Sequence, residues 1–242
     1  MLPRTLEPEL MDTAEDASEY DAMDHAAVNE LFVNDVFDAV GWVELHETHQ
    51  NVAAPLVGLA GLEPPCNILD LGAGTAQIPI ELARRAATVH ITAADAAKSM
   101  LEVGRRNVAA AGLATRIELV LADAKHLPFD TGSFSVVISN SIVHHIAEPQ
   151  QILAEAVRVA APGGLLFHRD LARPRDEARL QQIVETYAGD ATPYQRKLLA
   201  DSLRAALTVE EMQQLVANLG FTRDSVRMTS DRHWTWIAAK AM

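Results

Sequence analysis

The sequence predicts a doubly wound α/β fold, a mostly parallel sheet with helices on both faces, and three observations carry that prediction. First, Asn67–Leu82 runs from a short apolar strand through a glycine turn into a helix. Second, three successive apolar strand patterns each end in an acid, Asp70, Asp95 and Asp123. Third, strand and helix patterns alternate from there to residue 164, as βαβ units require.

At 242 residues the chain is most simply one α/β domain with additions, divided at 1–62 and 63–242. Its 49 % apolar and 22 % charged residues are ordinary for a soluble protein. A net charge of −13 argues against DNA or an anionic membrane as partner. One cysteine, Cys66, excludes an internal disulfide and a multi-cysteine zinc site. No apolar run reaches transmembrane length and the N-terminus has no signal-peptide pattern, so the reading is cytoplasmic.

Residues 1–22 are acidic and poor in large apolar side chains, and are expected to be extended or partly mobile. A helix follows from about His25 to Val40, with Asp24 as its cap, and a second from about Glu44 to Leu59 ends before Pro64-Pro65. In Asn67–Leu82, Ile68, Leu69 and Leu71 read as a buried strand that carries Asp70 within it. Gly72 and Gly74 turn the chain, and Gln77–Arg85 reads as a helix with Pro79 in its first turn. Donor N–H groups at such a helix start suit a nucleotide. A dinucleotide fingerprint needs a third glycine, where this chain has Gln77.

Asp70-Leu71-Gly72-Ala73-Gly74 instead resembles the first motif of the class I S-adenosylmethionine (SAM)-dependent methyltransferases, with Ala76 where that family usually has a further glycine. The resemblance implies a Rossmann-like seven-stranded sheet in the order 3-2-1-4-5-7-6, the last strand antiparallel. It also implies SAM as cofactor and methyl transfer by in-line displacement to a small-molecule acceptor. Asp70 would then face the methionine amino group, with Gly72, Ala73, Gly74 and Gln77 beneath the ligand.

Val89–Ala94 is the second strand, and Asp95 follows Gly74 at close to the roughly 20-residue spacing of a ribose-binding acid. Lys98-Ser99-Met100-Leu101 begins the next helix, and Ala96 and Met100 join the cofactor set. Arg116–Ala122 is the third strand; by the resemblance, Asp123-Ala124 meets the adenine. Ser133–Asn140 is the fourth, with Asn140 at the ligand edge, and a His144-His145 pair follows. His144, of near-neutral pKa, is a candidate to orient or deprotonate an acceptor. N-terminal helices often close over SAM in the family, which makes Tyr20, Met23 and His25 lid candidates.

Pro149 opens a helix, Ala161-Pro162-Gly163-Gly164 is the expected turn, and Leu165–Leu171 is strand five. Residues 174–206 read as a helical cover over the acceptor site, with Tyr187 and Tyr194 as wall candidates; the alternative is a peripheral hairpin. Thr208 and Glu211 form a capping box for a helix closed by Gly220. Phe221–Met228 and Arg232–Ala239 are the last strands. By the resemblance, their turn brings Arg169, Asp170, Arg173, Arg232, His233 and Trp234 towards one edge; the arginines there point to an anionic acceptor, or are neutralised by Asp170 and Asp231 in a structural network. Arg169, Asp170, Arg232 and His233 join His144 as catalytic candidates. No carboxylate cluster predicts a metal. An NAD-dependent oxidoreductase and a SAM-binding protein that has lost catalysis or serves as a partner subunit stand as alternatives.

Overall fold

The computed structural model describes residues 2–9, 12–23, 25–41 and 66–242. Asp24, the helix expected over Glu44–Leu59 and the predicted domain boundary at residue 62 lie outside the described residues. Seven strands form one sheet: β1 (Cys66–Leu71), β2 (Val89–Asp95), β3 (Ile117–Leu121), β4 (Phe134–Asn140), β5 (Ala160–Leu171), β6 (Val226–Met228) and β7 (His233–Ala239). Their order is β3-β2-β1-β4-β5-β7-β6, and β6 pairs antiparallel with β7. The predicted sheet is the observed one.

The chain divides into two compact units. The first comprises Met11–Ser139, Glu155–Phe167 and Ile237–Met242. In it β1 pairs parallel with β2, Asp70 opposite Ala93, and with β4, Leu71 opposite Ser139. Helix α1 (Ala14–Asp21) begins at Thr13, whose side chain accepts the Asp16 N–H. Helix α2 (Ala26–Val40) buries Phe32, Val33, Val36 and Phe37 and leaves Val28 and Leu31 exposed, and Gly41 ends it in the left-handed conformation. Helix α3 (Gln77–Arg85) has the predicted bounds, and Arg85 lies 4.9 Å over the Phe37 ring. Helix α4 (Lys98–Ala110) follows β2, and α5 (Pro149–Val159) precedes β5.

The second unit comprises Met1–Leu10, Asn140–Ala154 and His168–Trp236. Helix α6 (Glu177–Ala188) is capped by Asp176, whose carboxylate accepts the Arg179 N–H, and α7 (Pro193–Ala205) by a box of Thr192 and Gln195. The two bury Leu180, Ile183, Val184 and Leu203 with Leu171. Helix α8 (Val209–Asn218) carries the predicted Thr208–Glu211 box.

Two boundaries differ from expectation. The turn expected at 161–164 belongs to β5, because the Gly163 N–H donates to the Lys240 carbonyl and the Lys240 N–H to that of Gly164, which extends the ladder. The strand expected from Phe221 begins only at Val226. Arg223–Ser225 is a tight helical turn, held by the Ser225 N–H and hydroxyl on the Thr222 carbonyl. Residues 12–21 also depart from a wholly extended segment, since α1 occupies most of them.

Candidate active site

In the first unit the N–H groups of Gly72 and Ala73 both donate to the Ala94 carbonyl, at 2.8 and 3.1 Å. This turns the chain sharply off the end of β1, and Gly72 and Gly74 take left-handed φ of 73° and 53°. Ala76 takes φ 64° without being glycine, a strained choice. Its methyl group has room because α4 has Gly104 opposite, where an added Cβ would lie 3.4 Å away.

Asp70 is buried at the C-terminal end of β1, and its Oδ2 has no hydrogen-bond partner. Burial first, then the Asp95 charge, pushes its carboxyl well above the usual range. The Thr75 and Ser139 hydroxyls are also buried and unpartnered, and neither was singled out in the sequence. Asp70 and Ser139 sit at the ligand edge of adjacent strands. A buried carboxylate without a donor is costly in isolation, and an ammonium group would satisfy it. The residues present therefore fit the amino-acid end of SAM.

Asp95 is more engaged. Its Oδ2 accepts the Gly74 N–H and its Oδ1 the Ala97 N–H, both at 2.8 Å. Burial still raises its pKa against these bonds. Asp123, beyond the end of β3, is half exposed and accepts the Lys125 N–H at 2.9 Å. Ala124 follows it on the half-buried turn, and Asn140 closes β4. Met100, expected on the cofactor, packs with Ala17, Ala97 and Val103.

Helix α1 lies against the glycine turn. A Cβ on Gly74 would meet the Tyr20 ring at 3.7 Å. Burial, then the charges of Asp95, Asp70 and Asp21, raises the Tyr20 phenol pKa. Asp21 accepts from the side chains of Gln77 (3.0 Å) and Asn107 (2.8 Å), and Asp12 accepts the Ser99 N–H. Tyr20, Met23 and His25 line one cavity of about 180 Å³ with Asn29, Thr75 and Gln77. All three lid candidates thus reach the neighbourhood of the glycine turn.

The residues expected together in the second unit divide into several groups. Asp170 is fully buried; its Oδ1 lies 2.5 Å from His144 Nδ1 and its Oδ2 accepts the His144 N–H. Glu7 Oε1 lies 3.3 Å from His144 Nε2. Burial alone would depress this imidazole, but the two carboxylates outweigh it and raise its pKa to about 9. Carboxylates engage both ring nitrogens of His144, a geometry suited to holding the ring in place and not to taking a proton from an acceptor.

Arg169 donates to the Thr235 hydroxyl at 3.0 Å. Arg232 lies 3.4 Å over the Tyr187 ring, with Asp231 at 3.5 Å. His233 Nδ1 is 2.9 Å from the Ser230 hydroxyl, and burial, then Arg232, lowers its pKa to about 4. Trp234 is fully buried and cannot form a pocket wall. Tyr187 and Tyr194 are roughly half exposed, and Tyr187 donates to Asp231 at 2.9 Å.

A cavity of about 490 Å³ lies just past the end of β5, lined by Arg173, Arg175, Arg179, Ile183, Met228 and Asp231 among others. Arg173 donates to the Ala206 carbonyl (2.9 Å) and to Glu211 (2.5 Å), while its buried Nε–H has no partner. Arg179 pairs with Asp231 at 3.0 Å. Arg175 and Arg179 escaped the sequence reading, since their helical stretch looked only polar.

A parallel sheet with a glycine turn, a buried strand-end acid and a second acid tied to the turn defines a nucleotide-type cofactor fold. Residues 69–168 match the methyltransferase domain family model. The chain is 30 % identical over 175 residues to a ubiquinone/menaquinone biosynthesis C-methyltransferase, UbiE, of Roseobacter denitrificans, covering 67 % of this chain and 69 % of that one. It is 42 % identical over 107 residues to the demethylmenaquinone methyltransferase of Clavibacter sepedonicus, covering 44 % and 42 %. A SAM-dependent methyltransferase structure from Aquifex aeolicus superposes with TM-score 0.61 at 15 % identity, over 95 % of this chain and 99 % of that one. The plantazolicin methyltransferase BpumL, in complex with a monoazolic desmethylPZN analog and SAH, does so with TM-score 0.68 at 14 % identity, over 93 % and 89 %.

The chain belongs to the class I SAM-dependent methyltransferases. It is an enzyme of methyl transfer with SAM as cofactor, and the oxidoreductase and non-catalytic readings fall away. Among the described residues no helix is long and apolar enough to cross a membrane.

Proposed function

We propose that the acceptor is a small, electron-rich molecule bearing an acidic group, methylated at carbon, and that the arginine-lined cavity recognises its acidic end. The observation that carries this is the convergence of Arg173, Arg175 and Arg179 on one cavity, with the buried Arg173 Nε–H left unpartnered. Arginine offers carboxylate or phenolate oxygens a planar fork. The cavity follows the C-terminal end of β5, the edge where open α/β sheets bind ligands. Methylation at carbon rests on the name of the UbiE relative, a C-methyltransferase.

In this reading Asp70 takes the ammonium group of SAM, Asp95 the ribose hydroxyls, and Asp123 with the Ala124 N–H the adenine. Gly72, Ala73 and Gly74 let the backbone approach the ligand, and Tyr20, Met23 and His25 exclude water. Bound SAM supplies an electrophilic methyl group, transferred in line to the acceptor. The remaining work of the chain is orientation and desolvation. Arg169, Arg232 and His233 shape the acceptor side, and the His144–Asp170 pair holds the loop after β4.

The test is a panel of hydroxylated aromatic acids and their uncharged analogues, incubated with isotopically labelled SAM and read by mass spectrometry. Arg179→Met is expected to raise KM for an acidic acceptor at least tenfold with SAM affinity unchanged. Uncharged analogues turned over equally well, or a variant with the parent KM, would overturn the anionic reading.

A further inference from the structure

In the second unit Glu7, His144 and His145 each offer one ligand atom, all within 4.8 Å of one another. Glu7 Oε1 stands 3.3 Å from His144 Nε2 and 3.2 Å from His145 Nδ1. Those separations match the edge of a tetrahedron around a metal with bonds of about 2.0–2.1 Å, which is about 3.3–3.4 Å.

The outer atoms are arranged for the same purpose. His144 Nδ1 is held by the Asp170 carboxylate at 2.5 Å. The Pro8 carbonyl, the one backbone hydrogen-bonding group a proline has, engages the His145 ring. Ser202 Oγ donates to Glu7 at 3.1 Å. A ligating histidine has its other nitrogen pinned by a carboxylate or carbonyl, and a ligating carboxylate is itself hydrogen-bonded. An ion pair alone accounts for the approach of Glu7 to His144. It leaves His145 Nδ1 unexplained, a buried nitrogen with no hydrogen-bond partner that faces the same carboxylate.

We propose that Glu7, His144 and His145 form a binding site for a divalent transition metal of the Zn²⁺ type, with Asp170 as a positioning residue behind His144. Two imidazoles and one carboxylate select Zn²⁺ or its neighbours over Mg²⁺ and Ca²⁺. Three protein ligands leave a fourth position for water or another small donor. The ion would join the extended segment around Glu7 to the loop after β4, which Arg4 already reaches through the Ile146 carbonyl at 2.9 Å. The proposal is independent of the identity of the acceptor.

The experiment titrates the full chain, stripped with a chelator, with Zn²⁺ in competition with a chromophoric chelator, and records the visible spectrum with Co²⁺. One equivalent is expected to bind, with intense tetrahedral Co²⁺ bands and a raised Tm. Glu7→Gln and His145→Ala are each expected to weaken binding at least tenfold, Asp170→Asn about 10–100-fold. His126→Gln, on an exposed turn, is expected to bind as the parent does. Absence of stoichiometric binding, a weak octahedral Co²⁺ spectrum, or parent affinity in both folded ligand variants would overturn the site. The Co²⁺ spectrum of the parent decides the matter should a variant fail to fold.

Discussion

Asp95 accepts the Gly74 N–H at 2.8 Å, so the acid read as a ribose ligand also holds the glycine turn in place. Its second oxygen does the same for Ala97 at the start of α4. Asp95→Ala is therefore expected to weaken SAM binding by roughly 1.5–3 kcal/mol and also to lower stability by about 1–3 kcal/mol, since two N–H groups lose their acceptor. Asp95→Asn keeps one acceptor oxygen and is expected to regain most of the stability but not the affinity. Calorimetry beside thermal melts separates the two; unchanged SAM affinity in a folded Asp95→Ala protein would remove the ribose assignment.

Asp70, proposed to face the SAM ammonium group, is expected to make SAM binding pH-dependent. Its folded pKa lies well above the unfolded value, so the ligand-free protein holds a proton that the unfolded chain has released. Stability from this group is thus lost as pH rises from the unfolded pKa near 3.8 through the folded one. An ammonium group prefers the ionised carboxylate, so SAM affinity is expected to rise over the same range with release of one proton. Titrations in buffers of different ionisation enthalpy measure that release. Asp70→Asn should show no such proton and a more stable ligand-free fold; equal proton release by that variant would contradict the assignment.

The packing of Ala76 against Gly104 predicts an asymmetry. A Cβ on Gly104 would lie 3.0 Å from a Leu119 methyl and 3.4 Å from both the Ala76 Cβ and the Thr75 backbone. Gly104→Ala is expected to cost about 1–3 kcal/mol through overpacking. Ala76→Gly relieves a left-handed alanine worth about 1–2 kcal/mol while adding unfolded-state entropy, and should be close to neutral. Pairing the two substitutions recovers part of the Gly104→Ala loss, which a double-mutant cycle on Tm would detect.

The motif read as the cofactor site is legible because its signals are local. Asp70, Gly72 and Gly74 fall within five residues, and the spacing to Asp95 is set by one helix and one strand. Thr75 and Ser139 adjoin residues that were singled out, and only burial distinguishes them. The Glu7–His144–Asp170 arrangement joins three distant parts of the chain, and no periodicity announces Glu7. Arg169 lies near the end of β5, Arg173 just beyond it and Arg232 in the last hairpin. What spacing cannot tell is that they turn to Thr235, Glu211 and Tyr187 respectively. Alternation along β7 likewise marks Trp234 as strand without revealing that its ring is buried.

His168 supplies the final test, since it should make the protein sensitive to mild acid. It is fully buried in β5, stacked 5.2 Å from Trp236, and neither ring nitrogen has a partner. Burial lowers its pKa from 6.5 to about 3, although the Asp170 charge opposes the shift. In the unfolded chain the same group takes up a proton near pH 6.5. The unfolded state therefore binds more protons between those values, and stability is full above pH 6.5 and declines as pH falls towards 3. The slope is at most about 1.4 kcal/mol per pH unit for this group. His233, held near 4 and part exposed, adds a smaller contribution of the same sign. His168→Phe keeps an aromatic ring against Trp236 and removes the titrating group. Denaturant melts at a series of pH values are expected to show a flatter decline below pH 6.5 in that variant. A decline of the parent's steepness, in a variant that folds and binds SAM normally, would mean that His168 is not the acid-sensitive group.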